Sequence, residues 1–195
     1  RQMCIRDSTC GELAREVDAD IHKLRERNDR GENVDTQCRA LEKLLPRLYA
    51  EDKIDAAISA GGSGGTSIVA PAFRALPIGV PKIIVSTMAA SSTGHTYIGE
   101  SDLILIPSIV DVAGLNSIST QVYDNAAKAI VGMASLEHEN THENKPLIAA
   151  TMFGNTTPAV NYAREYMEEK GYEVLVFHAT GSGGKTMEHL LSLIH

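Results

Sequence analysis

Two short stretches of this chain combine glycine and hydroxyl residues in a way suited to holding an anion. The first, Gly61-Gly62-Ser63-Gly64-Gly65-Thr66, follows an apolar run and precedes a helical one. Glycine there lets backbone N–H groups approach an anion with no Cβ in the way, while the following helix offers its positive end. Ser63 and Thr66 add hydroxyl donors. A tight turn alone uses one or two glycines rather than the four present, so a phosphate group is the expected occupant and a plain turn the alternative. The second stretch, Thr180-Gly181-Ser182-Gly183-Gly184 followed by Lys185-Thr186, stands in the same context of strand, loop and helix. Ser59–Thr66 (SAGGSGGT) and His178–Thr186 (HATGSGGKT) read as a duplicated βα element.

Other chemistries fit these residues less completely. The dinucleotide fingerprint fails, because Gly62-x-Gly64 is followed by Ser67 where a third glycine belongs. Ser86 and Thr87 end the next strand where an acid would hold a ribose, so NAD is not expected, and these two hydroxyls are counted with the phosphate-ligand site. Ala179-x-x-x-x-Gly184-Lys185-Thr186 has Walker spacing with Ala in place of the first glycine, which leaves a P-loop open as a secondary reading. Gly61-x-Ser63-x-Gly65 has nucleophile-elbow spacing, with Asp111 and His178 following in the order of an α/β-hydrolase; a serine hydrolase with Ser63 as nucleophile is therefore the alternative function. Asp111, at a strand end, suits a magnesium ion or a ribose hydroxyl, and suits a turn or helix cap equally well. Phe153-Gly154-Asn155-Thr156-Thr157-Pro158 offers hydroxyls and amides at another helix start, with capping by Thr157 as the plain account. His95 lies in a polar loop and reads as exposed. No acid, base and nucleophile set stands out, so whether any ligand is turned over stays open.

The elements that must position these residues are readable from periodicity. Glu12–Asn28 and Asn33–Asp52 carry helical stripes, the second through Cys38, Leu41, Leu44, Leu45 and Leu48, with Pro46 expected to kink or split it. Cys38 on that stripe reads as core packing. From Ile54 onward the period changes: 56–60, 82–87 and 103–107 read as strands, with helices over 66–76 and 115–134. Unbroken apolar strands joined by helical crossovers imply a parallel sheet covered on both faces. The polar stretch within 135–145 reads as a linker, after which a strand over 146–151, a helix over 158–170, a strand over 173–178 and a helix from Lys185 begin a second unit. The fold class is α/β, with Rossmann-like three-layer architecture and two similar subdomains, 9–134 and 146–190, both expected to be incomplete. Arg1–Ser8 (RQMCIRDS) and Leu191–His195 (LSLIH) read as non-native, adaptor-derived ends.

Composition narrows the partners. With 43% hydrophobic residues the chain has material for a core, and no apolar run is long enough for a membrane span. A formal net charge of −7 argues against a nucleic-acid surface, which needs clustered Lys and Arg, yet leaves room for a small phosphorylated ligand held by backbone amides. Cys4, Cys10 and Cys38 lack metal-site spacing and make an odd count, which fits a reducing, cytoplasmic setting.

Five long stretches resemble the Tm-one-like ATP-binding family, whose uncharacterised members also carry the designation UPF0261. They are GGSGGTSIVAPAFRALPIGVPKIIVSTMA (Gly61–Ala89), YIGESDLILIPSIVDVAGLNSIS (Tyr97–Ser119), NAAKAIVGMA (Asn125–Ala134), TMFGNTTPAV (Thr151–Val160) and GYEVLVFHATGSGGKTME (Gly171–Glu188). The resemblance implies two Rossmann-like subdomains, a full length about twice this one, and a missing opening strand beside the strand at 56–60, which would otherwise lie inside the sheet. It also implies ATP, with magnesium, as ligand between the units, with Gly62, Ser63, Gly64, Gly65 and Thr66 as phosphate contacts. A homo-oligomer follows from the tendency of family-type sheets to pair. Two departures from the family pattern are Pro46, inside a usually uninterrupted helix, and Lys185-Thr186, where a basic residue followed by a small one is typical; the second weakens the P-loop reading.

Overall fold

The computed structural model describes residues 10–135 and 145–194. It separates into two compact units, Arg1–Leu136 and Glu137–His195. Arg1–Ser8 and nearly all of the expected linker fall outside the described residues.

The first unit runs α1 (Cys10–Arg15), α2 (Ile21–Arg27), α3 (Arg30–Ala50), β1 (Ala57–Gly61), α4 (Ser63–Arg74), β2 (Lys82–Ser86), α5 (Gly94–Ile98), β3 (Ile104–Pro107) and α6 (Ser117–Ser135). The single helix expected over Glu12–Asn28 is broken in two. Asp20 caps α2 by accepting the His22 N–H at 2.9 Å, and a carboxylate that can cap a new helix competes with continuing the old one. Asn28 then ends α2 in the left-handed region, and Asp29 caps α3 through the Glu32 N–H at 3.0 Å. Pro46 does not break α3, contrary to expectation. Leu44 and Leu48, one turn apart, are both buried, and the carbonyl that Pro46 leaves without a donor belongs to Glu42 on the exposed side.

The sheet has the order β1-β2-β3, all parallel, with Ile58 opposite Ile83 and Ile84 opposite Leu105. β2 is buried along its whole length, and its residues alternate between two cores. Ile84 packs with Ala57, Ala70, Phe73, Leu76 and Leu103 on the α4 side. Ile83 and Val85 pack with Ala126 and Ile130 on the α6 side. Helices therefore cover both faces, and each fully buried Ile or Val contributes roughly 2 kcal/mol. β1 lies at an edge of this sheet rather than inside it, with Ile58 47% exposed.

At the amino end of β2 an ammonium is buried. Lys82, 1% exposed, pairs with Asp102 Oδ1 at 2.6 Å and donates to the carbonyls of Pro77 (2.7 Å) and Val80 (3.1 Å). All three of its N–H donors are satisfied, which is what makes its burial tolerable.

The second unit comprises β4 (Leu147–Met152), a 3₁₀ turn at Gly154–Thr156, α7 (Thr157–Glu169), β5 (Glu173–His178) and α8 (Gly183–Ile194). β4 and β5 pair in parallel across the α7 crossover, and among the described residues of this unit none is fully buried. Two strands and two helices shield one another only partly.

Candidate functional site

The glycine stretch is not a loop. Gly61 ends β1, Gly62 is the N-cap, and Ser63 to Thr66 form the first turn of α4. The chain passes from strand to helix through one residue, and Gly61 is crowded there: a Cβ on it would lie 3.2 Å from the backbone of α4, at the Gly65 Cα. The N-cap Gly62 has no side chain with which to cap this helix, and the N–H groups of Ser63, Gly64 and Gly65 precede the first intrahelical bond, which Thr66 makes to the Gly62 carbonyl at 2.9 Å. Ser63 and Gly65 are exposed.

Thr66 takes a different part from the one its sequence position suggests. Its side chain is 0% exposed, and its hydroxyl donates to the Gly62 carbonyl at 2.8 Å. The Ser86 hydroxyl lies 2.6 Å from Thr66 Oγ1 and accepts the Met88 N–H at 3.0 Å. With the Thr66 proton committed to Gly62, Ser86 must be the donor between them, so the chain runs Met88 to Ser86 to Thr66 to Gly62 with every hydroxyl used. The hydroxyls of Thr66 and Ser86, expected among the ligand contacts, are thus consumed internally and fix the start of α4 to the end of β2.

Beyond the junction, at the carboxyl ends of β2 and β3, lies a cavity of about 550 Å³ lined by Ser86, Thr87, Ala90, Pro107, Ser108, Ile109, Val110 and Asp111. Open α/β sheets bind their ligands outside the carboxyl ends of the strands, the end at which this cavity lies. Junction and cavity adjoin, since a Cβ on Gly62 would lie 3.7 Å from Thr87 Oγ1. The structure so brings together Gly62, Thr87 and Asp111 from the expected site. Asp111 is exposed and also closes its own turn, accepting the Val112 N–H at 2.8 Å. Asn116, not Asp111, caps α6, through the N–H groups of Ile118 and Ser119.

Sequence reading missed Arg30. Its guanidinium, from the first turn of α3, reaches to 3.6 Å from the point a Gly64 Cβ would occupy. No periodic or motif signal marks it, because its relation to Gly64 arises from the packing of α3 alongside α4. Cys38, on the same helix, is half-buried with Sγ 3.6 Å from the Ser67 carbonyl; burial pushes its thiol pKa up, with Glu42 and Asp35 adding to the effect, as packing rather than nucleophilic use requires. His95 is exposed, as expected, but lies in α5 rather than in a loop.

In the second unit Thr180, Gly181 and Ser182 lie in a turn between β5 and α8, while Gly183 and Gly184 open α8. Gly181 has φ 72°, which only glycine adopts readily. A Cβ on Gly183 would collide with the backbone of His178. The Thr186 hydroxyl is bonded to the Ser182 carbonyl at 3.0 Å within the helix turn. For the hydrolase alternative, Ser63 sits in a regular helical turn without the strained backbone of a nucleophile elbow. Among the described residues no cluster of three or more His, Cys, Asp or Glu side chains forms a metal site, and no helix is long and apolar enough to cross a membrane.

Parallel strands, helical crossovers and a crevice at the strand ends define a Rossmann-like α/β protein. Comparison with known proteins gives its family. The model for the N-terminal domain of the uncharacterised protein family UPF0261 matches residues 5–139, and that for the family's C-terminal domain matches residues 145–193. The chain belongs to the UPF0261 family. It is 47% identical to a UPF0261 protein of Clostridium tetani over 171 residues, which is 88% of this chain and 42% of that protein. It is also 47% identical over 168 residues to the ToMV resistance protein Tm-1(GCR237) of Solanum lycopersicum, covering 83% of this chain and 22% of the tomato protein. A UPF0261 protein of Rhizobium meliloti is 44% identical over 163 residues, 84% of this chain and 39% of that protein. The chain thus spans less than half the length of these relatives.

Proposed function

We propose that this chain binds ATP or a related phosphorylated ligand, with its phosphates against the first turn of α4. One observation carries the reading. Gly64 and Gly65 lie in the first turn of a helix at negative φ, where each costs about 0.5 kcal/mol relative to alanine. Neither is explained by the fold: a Cβ on Gly65 would meet nothing within 4 Å, and one on Gly64 only the flexible end of Arg30. Bare backbone that packing and conformation do not require is accounted for by close approach of a ligand.

The residues present fit a phosphate chain. The N–H groups of Ser63, Gly64 and Gly65 point from the positive end of α4, the exposed Ser63 hydroxyl adds a donor, and Arg30 adds charge. The buried relay through Thr66 and Ser86 positions these groups without touching the ligand. Asp111 across the cavity suits a ribose hydroxyl or the magnesium that accompanies the nucleotide. A cytoplasmic location accords with the exposed, unbridged thiol of Cys10.

The test is Gly64→Val in the full-length protein, measured by calorimetry with ATP and with inorganic tripolyphosphate. The branched side chain fills the space of a phosphate oxygen while meeting only Arg30, so the expected result is loss of both ligands with an unchanged melt. Retained affinity excludes the α4 turn as the site. In the same assay Lys185→Ala is expected to weaken binding by less than about tenfold, the ~1.4 kcal/mol scale of a partly exposed charge contact; a loss beyond about a hundredfold would move the phosphates to the second glycine turn.

A further inference from the structure

β2 closes on Ser86, which is fully buried although the next residue, Thr87, is open to solvent. The Ser86 hydroxyl serves two neighbours at once. It donates to Thr66 Oγ1 at 2.6 Å, in the first turn of α4, and accepts the Met88 N–H at 3.0 Å, which bends its own chain at Thr87. Thr87 is held from the other side as well, because its N–H donates to the Gly61 carbonyl at 3.3 Å. One hydroxyl thus fixes both the turn that bares the α4 amides and the residue whose Oγ1 stands beside Gly62.

Neither hydroxyl is needed to fill the core. An apolar pair of the same shape, valine for threonine and alanine for serine, is close to neutral for stability, since no polar group is then desolvated. What such a pair lacks is direction. Dispersion contacts hold volume, whereas a fully satisfied hydrogen-bond network holds one arrangement of the backbone. The Gly62 carbonyl is where that arrangement is imposed, for it receives the Thr66 N–H at 2.9 Å and the Thr66 hydroxyl at 2.8 Å. Gly61, Gly62, Gly64 and Gly65 give this stretch wide backbone freedom, so its amides keep a fixed aim only if something outside the stretch pins it.

We infer that Ser86 and Thr66 are positioning residues, a hydroxyl pair that pins the glycine-rich first turn of α4 and Thr87 in one register. They act through Gly62 and Thr87 rather than on the ligand. This rests on the proposed phosphate site at α4, and adds to it the reason why a turn built of glycines holds its amides still.

The experiment uses the full-length protein, with tripolyphosphate affinity read by calorimetry and stability by the melting temperature. Thr66→Ser keeps the hydroxyl and is expected to bind within about twofold of wild type. Thr66→Val keeps the shape but strands the Ser86 hydroxyl. It should melt lower and bind about tenfold more weakly, because the ligand must then order the glycine turn. Adding Ser86→Ala removes the stranded hydroxyl, so the melting temperature should recover in part, the Met88 N–H having lost its acceptor, while affinity stays about tenfold down. Stability and affinity part company there, which a purely structural role does not allow. Affinity that recovers with the melting temperature, a Thr66→Val protein that binds like wild type, or a Thr66→Ser protein as weak as Thr66→Val each overturns the positioning role while the phosphate site stands. If Thr66→Val alone does not fold, the double variant and Thr66→Ser decide in the same way. A wild-type protein that does not bind tripolyphosphate overturns the phosphate site and this inference together.

Discussion

The two glycine turns share letters and differ in what the letters are for. In the second unit, Gly181 is required by its left-handed backbone and Gly183 by the His178 backbone beneath it. Four residues separate β5 from α8 there, against one between β1 and α4. In the first unit, Gly64 and Gly65 have no such reason. Aligned on their helix starts, Gly62 matches Ser182, since each carbonyl accepts the hydroxyl of the threonine four residues on. The echo SAGGSGGT and HATGSGGKT is therefore out of register by one residue in space. A glycine count is not a ligand signal until the glycines that the fold itself needs have been set aside.

The sharpest way to break this contrast is Gly183→Ala. The added methyl would fall on the His178 carbonyl, a backbone group that cannot swing away, so the second unit should lose about 3 kcal/mol, the upper range for overpacking. Hydrogen exchange of the 173–178 amides reads this directly. Unchanged protection would mean that α8 does not sit on β5 as described, and the explanation for this glycine would fall with it.

A smaller effect is expected at Lys82, whose buried ammonium anchors the first unit away from the ligand end. Lys82→Met leaves the Pro77 and Val80 carbonyls and Asp102 without their donor, at roughly 2 kcal/mol in urea unfolding, with ligand affinity unchanged. The pair also sets an acid dependence. Burial acts to raise the Asp102 pKa, but the hydrogen bond from Lys82 and that from the Gly79 N–H at 2.7 Å outweigh it and hold the carboxyl below its ordinary 3.8. A carboxyl with a lowered folded-state pKa adds stability that is complete above the ordinary value and is lost as pH falls through the folded one. The margin of wild type over Lys82→Met should thus be flat near neutrality and shrink below about pH 4, remaining modest because Asp102 is 38% exposed. A margin that grows on acidification would contradict the assignment.

How far the sequence could be read follows from what kind of force sets each feature. The strands and the longer helices were legible because burial imposes a period, and 173–178 was placed to the residue. Short-range competition was not: Asp20 ended one helical stripe by capping another, and Pro46 was carried by Leu44 and Leu48. At the site, the glycines and Asp111 were visible as residue types, whereas the division of labour among them was not. Thr66 looks like a ligand donor in a motif, yet lies buried beneath the junction because β2 brings Ser86 against it. Arg30 carries no motif at all, because its place depends on helix packing.

The smallest predicted effect on stability discriminates most finely between fold and ligand as the reason for the first turn. Gly65→Ala places a methyl group in open space at negative φ on a helix, so the folded protein should gain about 0.5 kcal/mol from higher helix propensity and a less flexible unfolded chain. That methyl lies on the surface where the phosphates are proposed to rest, so tripolyphosphate affinity should fall at least about tenfold, ~1.4 kcal/mol, in the same preparation. Stability and binding then move in opposite directions, which no purely structural account of this glycine produces. If urea unfolding shows a loss instead of a gain, the space around Gly65 is not open and the argument from bare backbone fails. If stability rises and calorimetry finds affinity unchanged, Gly65 serves neither fold nor ligand, and the phosphates must be sought away from the α4 turn.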